Sequence, residues 1–174
     1  MNSALKELKT RADHLLKRAR VGCDTTASRL RKLGEFKTSS NQEIKTKVCR
    51  KHALTLIARD FGFNDWAHAK QVLNNEAPKD FGTLLRTAGG MGYLHNWYAS
   101  YEDARSCQQD TGGYLLAYKN QYFVATSSYM KSLGLGDDDP DLKSLGSDWV
   151  HPRNEEARVK LYAKLFRARP KEGL

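Results

Sequence analysis

Apolar side chains recur at spacings of three and four residues along the first part of the chain. Residues 3–20 carry the clearest repeat, which consists of Leu5, Leu8, Ala12, Leu15 and Ala19. This spacing predicts an amphipathic helix, and five cations lie away from its apolar stripe: Lys6, Lys9, Lys17, Arg18 and Arg20. Gly22 ends that helix. We expect Thr25 or Thr26 to cap a short second helix that closes at Gly34.

A capping box opens the next helical segment. Ser40 stands three residues before Glu43, an arrangement in which each side chain bonds the backbone amide of the other residue. The apolar spacing that follows predicts one continuous helix to about Phe61. Gly62 is placed to end this helix in a left-handed conformation.

A polar segment then separates two parts of the chain. Asn64 or Asp65 is predicted to cap one more helix, and the polar residues 74–78 that follow it are typical of a linker. We place a domain boundary there. Residues 1–77 are then a basic helical domain, and residues 78–174 are a small α+β domain.

Strand patterns occur in the second part of the chain. Residues 114–118 and 121–125 flank Lys119 and Asn120, which predicts two strands joined by a two-residue turn. A further strand is expected over residues 93–99. Both faces of the hairpin carry apolar side chains, so we expect helices to cover at least one of them.

Further helices are expected around these strands. They cover residues 81–87 and 101–110, a short helix through Leu133 that Ser127 or Ser128 caps, a short segment that Asp139 caps before Pro140, and a last helix after Pro152. The predicted fold class is therefore α+β, with a helical N-terminal half followed by a small mixed C-terminal half that contains a hairpin.

The charge of the chain is unevenly distributed. It has 174 residues and a net charge of +9, and the first 51 residues alone hold 14 basic against 5 acidic side chains. Such an asymmetry favours a polyanionic partner, although a lysine-rich helical surface without a partner is the alternative. The expected phosphate contacts are Lys6, Lys9, Lys17, Arg18, Arg20, Arg29, Arg31 and Lys32.

Several classes of protein are disfavoured by the sequence. No stretch reaches the roughly 18 apolar residues of a membrane span, and the charged N-terminus lacks the apolar segment of a signal peptide. Cys23, Cys49 and Cys107 form no C-x-x-C pair, so neither a disulfide framework nor a zinc knuckle is indicated. We expect a cytoplasmic protein with reduced thiols.

Two pairs of residues are candidate chemical sites. Cys49 and His52 are spaced like half of a zinc site, but the remaining ligands have no supporting spacing, so a core-facing pair is favoured. Cys107 and His95 could act as nucleophile and base, yet no orienting group or oxyanion hole is indicated near them. The sequence therefore predicts no catalytic residue, no metal and no cofactor.

Three other features have structural explanations that compete with functional ones. Residues 137–141 concentrate four carboxylates, which the cap of a helix explains better than a cation site. The glycines of residues 89–92 indicate a turn rather than a phosphate loop. An aromatic group can stack bases if it is exposed on a sheet, although half-buried strand aromatics are commoner. That group is Trp97, Tyr98, Tyr101, Tyr114, Tyr118 and Tyr122.

One stretch of sequence resembles a known module. After the basic helix and a polar loop, the chain has the order Ala53-Leu54-x-Leu56-Ile57-Ala58-x-x-x-Gly62-Phe63-x-x-Trp66. Residues 4–74 thus resemble a small helical module of bacterial proteins that are labelled glyoxalase-superfamily or are associated with plasmid and conjugation genes. The Ser-His-Ser-Gln that commonly precedes Ala-Leu is replaced here by Cys49-Arg50-Lys51-His52. The resemblance implies a bacterial origin and no glyoxalase chemistry.

These observations lead to one functional hypothesis and two alternatives. The sequence favours a non-enzymatic accessory protein that contacts DNA or RNA through its basic N-terminal surface. One alternative is a module that binds an acidic protein partner through the same face or through the hairpin. The other is a small enzyme that uses His95 or Cys107.

Overall fold

The first part of the molecule is built around its first helix. The computed structural model describes residues 2–76, 78–86 and 92–169. The helices of the first range are α1 (Ser3–Arg20), α2 (Asp24–Leu30), α3 (Asn41–Lys47), α4 (Arg50–Asp60) and α5 (Trp66–Leu73), with a 3-10 helix over Gly34–Phe36. The other four α-helices of this range all pack against α1, whose predicted bounds are confirmed.

The second part combines a small sheet with helices. Its elements are β1 (Asn96–Tyr98), α6 (Tyr101–Thr111), β2 (Tyr114–Tyr118), β3 (Gln121–Ala125), α7 (Ser127–Ser132), α8 (Pro140–Leu145) and α9 (Glu155–Ala168). The three strands found among the described residues are antiparallel and follow the order β1-β3-β2. The α+β fold class predicted from the sequence is confirmed.

The sheet packs on both of its faces, as expected from the apolar side chains there. Tyr118 pairs with Gln121 across the two-residue turn, which is the predicted register. Leu116 and Phe123 on one face join the main hydrophobic core. Leu115 on the opposite face joins a smaller cluster that also contains Ala104 of α6. Because side chains alternate along a strand, this register fixes which aromatic rings share a face.

The last helix packs against the first one. α9 crosses α1, and the main hydrophobic core contains Leu8 and Leu15 of α1 together with Leu161 and Phe166 of α9. Arg11 is only 4% exposed in this contact, where it pairs with Glu7 at 3.0 Å and donates a hydrogen bond to the backbone carbonyl of Phe166. The helical part and the small sheet part therefore share one core.

The continuous helix predicted to run from the capping box to about Phe61 is wrong. The capping box of Ser40 and Glu43 is present, but α3 ends at Lys47, Val48 is extended, and α4 starts after Cys49. The Cys49 backbone N–H donates to Nδ1 of His52 at 3.1 Å, which caps a new helix. His52 is buried against Phe36 with ring centroids 4.8 Å apart. A local cap, whose histidine is held by its packing on Phe36, thus breaks a segment whose apolar pattern is continuous.

Two predicted helix starts are also corrected. The N-cap residue of α2 is Cys23, without a side-chain hydrogen bond, rather than Thr25 or Thr26. This helix ends at Leu30, before the 3-10 helix. Thr126, rather than Ser127 or Ser128, caps α7 by accepting a hydrogen bond from a backbone amide. Each cap lies one to three residues from its predicted position, which is the common error for helix ends.

The helix predicted over residues 81–87 is absent from the described part of that segment, residues 81–86. Its backbone amides are used elsewhere, since Phe81 N–H donates to the Lys119 carbonyl at 2.9 Å, and Thr83 N–H donates to the Gly62 carbonyl at 2.9 Å. The strand expected over residues 93–99 is shorter than predicted and covers Asn96–Tyr98.

The acidic run forms a helix cap, as expected. Asp139 accepts a hydrogen bond from the Asp141 amide at the start of α8, and Pro140 occupies the first turn. Lys164 lies 2.6 Å from Asp139. The glycine turn expected over residues 89–92 falls outside the described residues except for Gly92. None of the described helices is long and apolar enough to cross a membrane.

Gly62 provides a test of how tightly α4 is joined to the rest of the fold. Its φ is +84°, as predicted from the sequence, and an added Cβ would lie 2.2 Å from Thr83 Oγ1. Gly62→Ala therefore combines backbone strain with a steric clash, and we expect it to cost about 3 kcal/mol of unfolding free energy. Thermal unfolding followed by circular dichroism measures this loss.

Two other glycines separate the contribution of backbone strain from that of the steric clash. At Gly22, where φ is +85° but no atom lies within 4 Å of an added Cβ, substitution by alanine should cost about 1 kcal/mol. Gly34→Ala should be close to neutral, because it meets neither constraint. Equal melting temperatures for the Gly22 and Gly62 variants would show that the contact with Thr83 is unimportant.

Candidate nucleic-acid interface

The solvent-facing side of α1 is basic. The core takes Ala4, Leu8, Ala12, Leu15 and Ala19 of this helix. Lys6, Lys9, Lys17 and Arg20 lie on the opposite side and are exposed. We call these four residues the α1 basic face. Because their stems project from a helix whose inner side is held by the core, their positions along the surface are set by the helix geometry.

The acidic residues of the first 51 positions do not neutralise this face. Each of the five has a hydrogen-bond or ion-pair partner within the protein. These pairs are Glu7 with Arg11, Asp13 with Arg50, Asp24 with Asn41, Glu35 with His52, and Glu43 with Lys47. Within the described ranges, no carboxylate forms an ion pair with any member of the α1 basic face. Asp13 lies between Lys9 and Lys17 on this side of α1, but its carboxylate is paired with Arg50, so the face keeps a net positive charge.

The eight predicted phosphate contacts divide into two groups. Lys6, Lys9, Lys17, Arg20 and Lys32 are exposed. Arg18, Arg29 and Arg31 are engaged in contacts within the protein. Arg29 lies 2.6 Å from Asp60, and Arg31 donates to the Ser39 carbonyl at 3.0 Å. These guanidinium groups connect α2 to neighbouring segments, so they serve the fold as well as adding charge.

Arg18 contacts a thiol instead of a carboxylate. Its Nη2 lies 3.1 Å from Sγ of Cys23, and the Thr25 hydroxyl lies 3.2 Å from the same sulfur. Hydrogen bonds from Thr25 and Thr26 lower the pKa of Cys23 to about 6, and Arg18 adds to this effect. The sequence did not indicate this environment, because it depends on the turn that brings Cys23 back towards the end of α1.

Cys49 and His52 form a structural pair, as favoured from the sequence. His52 is 6% exposed and uses Nδ1 to cap α4, while its Nε2 lies 2.9 Å from Glu35. Nδ1 is therefore occupied by the helix cap, and the Glu35 carboxylate faces Nε2. No group of three or more His, Cys, Asp or Glu able to hold a metal ion occurs in the part of the chain that the structure describes.

Cys107 and His95 lie on opposite sides of the sheet. Asn96 of β1 donates to Cys107 Sγ at 3.6 Å on the side covered by α6. The His95 ring packs on the other side, with its centroid 4.5 Å from that of Tyr129 and 5.0 Å from that of Phe123. The structure thus does not bring the two residues together as a nucleophile and its base.

The six aromatic residues are also divided between the two faces. Tyr98, Tyr101 and Tyr122 pack against the small cluster beside α6. Tyr114 and Tyr118 lie half-buried against the main core, and Trp97, on the same face as Tyr118, keeps 36% of its surface exposed.

Comparison with known proteins adds no functional assignment. No protein-family model, curated protein or solved structure matches the chain. The resemblance of residues 4–74 to the bacterial helical module stays a prediction, as does the cytoplasmic location. The case for a function therefore rests on the geometry of the described residues.

The Cys23 environment predicts unusual thiol reactivity. In a Cys49→Ser, Cys107→Ser background, the rate of alkylation by iodoacetamide should reach half its maximum near pH 6, because the thiolate is the reacting form. Thr25→Val and Arg18→Gln should move this midpoint upwards. Lys17→Gln removes a neighbouring charge without touching the sulfur and is the control. A midpoint at or above about pH 8, typical of a free cysteine, would contradict the contact.

His95 predicts a pH dependence of stability. Burial lowers the pKa of His95, and the nearby charge of Arg86 lowers it further. The unfolded chain, with an imidazole pKa of about 6.5, then binds a proton more readily than the folded chain. The contribution of neutral His95 to stability should be fully present above this value, and the free energy of unfolding should decrease as the pH falls below about 6.5.

His95→Phe keeps an aromatic ring beside Tyr129 and removes the titrating group. Urea unfolding of both proteins at pH 7.5 and pH 5 measures the effect, with His14→Gln, an exposed histidine on α1, as the control. A His95→Phe variant that loses as much stability between the two pH values as the wild-type protein would contradict the assignment.

Proposed function

We propose that this protein is a non-enzymatic accessory protein that binds nucleic acid through the α1 basic face. The observation that carries the proposal is that four cationic side chains share the solvent side of one helix, while the carboxylates of the same region are all held by internal partners. An exposed positive surface without internal compensation attracts a polyanion and exchanges its condensed counterions for the protein.

The dimensions of the α1 basic face suit a phosphate backbone. Lys6 and Arg20 are 14 positions apart, which corresponds to about 21 Å along the helix axis. One strand of a duplex presents about six phosphates over that length. Contacts to phosphates carry no sequence information directly, and lysines bind phosphates as point charges, so this surface supports binding without sequence preference.

Charge reversal tests the proposal. Replacing three cations together by glutamate should remove most of the affinity for a fluorescein-labelled 20-base-pair duplex, which anisotropy measures. These cations are Lys9, Lys17 and Arg20. The plot of log affinity against log salt should become shallower by about 2 to 3, because each lost phosphate contact releases one counterion fewer. A triple glutamine variant at the same positions removes the charges without placing acidic groups near the C-terminal end of α1.

A matched control changes the charge by the same amount elsewhere. Lys70, Lys143 and Lys160 are exposed and lie on α5, α8 and α9. Their replacement by glutamate should alter the affinity much less. Lys164 is unsuitable for this purpose because it lies 2.6 Å from both Asp139 and Asp141. The ion pairs of Lys143 and Lys160 are longer, at 3.8 and 3.6 Å. If the wild-type protein does not bind at about 50 mM salt, or if the control variant weakens binding as much as the α1 variant, the proposal is wrong.

A further inference from the structure

A second cationic surface lies on the sheet, where two exposed cations rest on two aromatic rings. Arg86 Cζ lies 5.1 Å from the ring centroid of Trp97 and 5.6 Å from that of Tyr118. Lys119 Nζ lies 5.7 Å from the Tyr118 centroid. The two rings contact each other edge-on at 5.8 Å. We call these four residues the sheet platform.

The fold holds the aromatic part of the sheet platform in place. Trp97 stacks on the fully buried Phe123 of the neighbouring strand, with ring centroids 4.7 Å apart and an interplanar angle of 27°. Tyr118 ends β2, and the backbone N–H of Lys119 donates to the Gly82 carbonyl at 2.7 Å. The hairpin tip is thereby attached to the segment that leads to Arg86.

The cations of the sheet platform are available to a ligand. Within the described ranges, neither Arg86 nor Lys119 has an ion pair or a side-chain hydrogen bond with another protein group. A guanidinium that lies over a ring keeps its N–H donors directed outwards, where they can bind the oxygens of a phosphate. Among the described tryptophans, Trp149 is fully buried, whereas Trp97 keeps 36% of its surface exposed.

We propose that the sheet platform binds single-stranded nucleic acid, with Arg86 and Lys119 on the phosphates and a base against the exposed part of Trp97. Unpaired bases stack on aromatic rings and on guanidinium planes, whereas a duplex keeps its bases inside its own stack. The sheet platform therefore adds a preference for single strands that the α1 basic face does not supply. The inference rests on the proposed function in assigning nucleic acid as the ligand.

Fluorescence of the whole protein tests the sheet platform directly. A 12-nucleotide oligothymidylate should quench tryptophan emission, and the quenching should be lost in Trp97→Phe, which retains a ring in the same place. Anisotropy with the labelled oligonucleotide should show a loss of affinity of about tenfold for Trp97→Ala, in the range found for removal of a stacking residue. Affinity for a 20-base-pair duplex should change by less than about twofold.

Variants of Arg86 and Lys119 test the sheet platform without changing a buried side chain. Arg86→Gln and Lys119→Asn should each weaken oligothymidylate binding severalfold. Asparagine suits position 119 because the φ of Lys119 is +53°, a conformation that asparagine tolerates. Lys70→Gln, which removes an exposed charge on α5, is the matched control. Circular dichroism of each variant shows whether it is folded. If Trp97→Ala does not fold, the binding measured for Arg86→Gln decides the result.

The outcomes separate this inference from the proposed function. If oligothymidylate binds without quenching Trp97, and Trp97→Ala and Arg86→Gln bind it like the wild-type protein, the sheet platform is wrong and the α1 basic face stands. If these variants lose single-strand binding while the triple glutamate variant of α1 retains its duplex binding, the sheet platform is supported and the proposed function is wrong. If the wild-type protein binds neither oligothymidylate nor the duplex at about 50 mM salt, both proposals are wrong.

Discussion

The contact between α1 and α9 is the constraint on which the rest of the structure depends. It buries Arg11, whose guanidinium is neutralised by Glu7 and bonded to the Phe166 carbonyl. A buried guanidinium that loses its partners costs several kcal/mol, so the two helices must meet in a specific geometry. One helix lies near the start of the chain and the other near its end, so this contact joins distant parts of the sequence in the main hydrophobic core.

Burial of one side of α1 determines what its other side can do. α1 packs against α2 to α5 on one part of its surface and against α9 on another, and these contacts fix its orientation. The lysines opposite Leu8 and Leu15 therefore point to solvent. The same logic applies to the sheet, where burial of Phe123 holds Trp97 at the surface beside Arg86. In both places an apolar contact supplies the rigidity, and charged side chains supply the chemistry.

The elements that were predicted well are those whose pattern is local. α1, the hairpin and the helix cap at Asp139 follow from spacing and turn chemistry within a few residues. The failures occur where a group other than the next helical carbonyl binds the backbone. His52 breaks a continuous helical pattern by capping α4, and the amide of Phe81 bonds the hairpin tip instead of continuing a helix. The cap between residues 49 and 52 is a local interaction that the apolar periodicity does not register, whereas the contact of Phe81 with Lys119 lies outside any local window.

By itself the sequence determined the fold class, the excess of positive charge in the first 51 residues and the side of α1 on which four of the cations lie, since these depend on composition and helical periodicity. Only the tertiary structure decided which charges remain available. Arg29 donates a hydrogen bond to Asp60, 31 positions away, and Arg18 donates one to the sulfur of Cys23. It also decided that Arg86 and Trp97 meet. Contacts of this kind depend on the path of the chain, which no periodicity within one helix or strand contains.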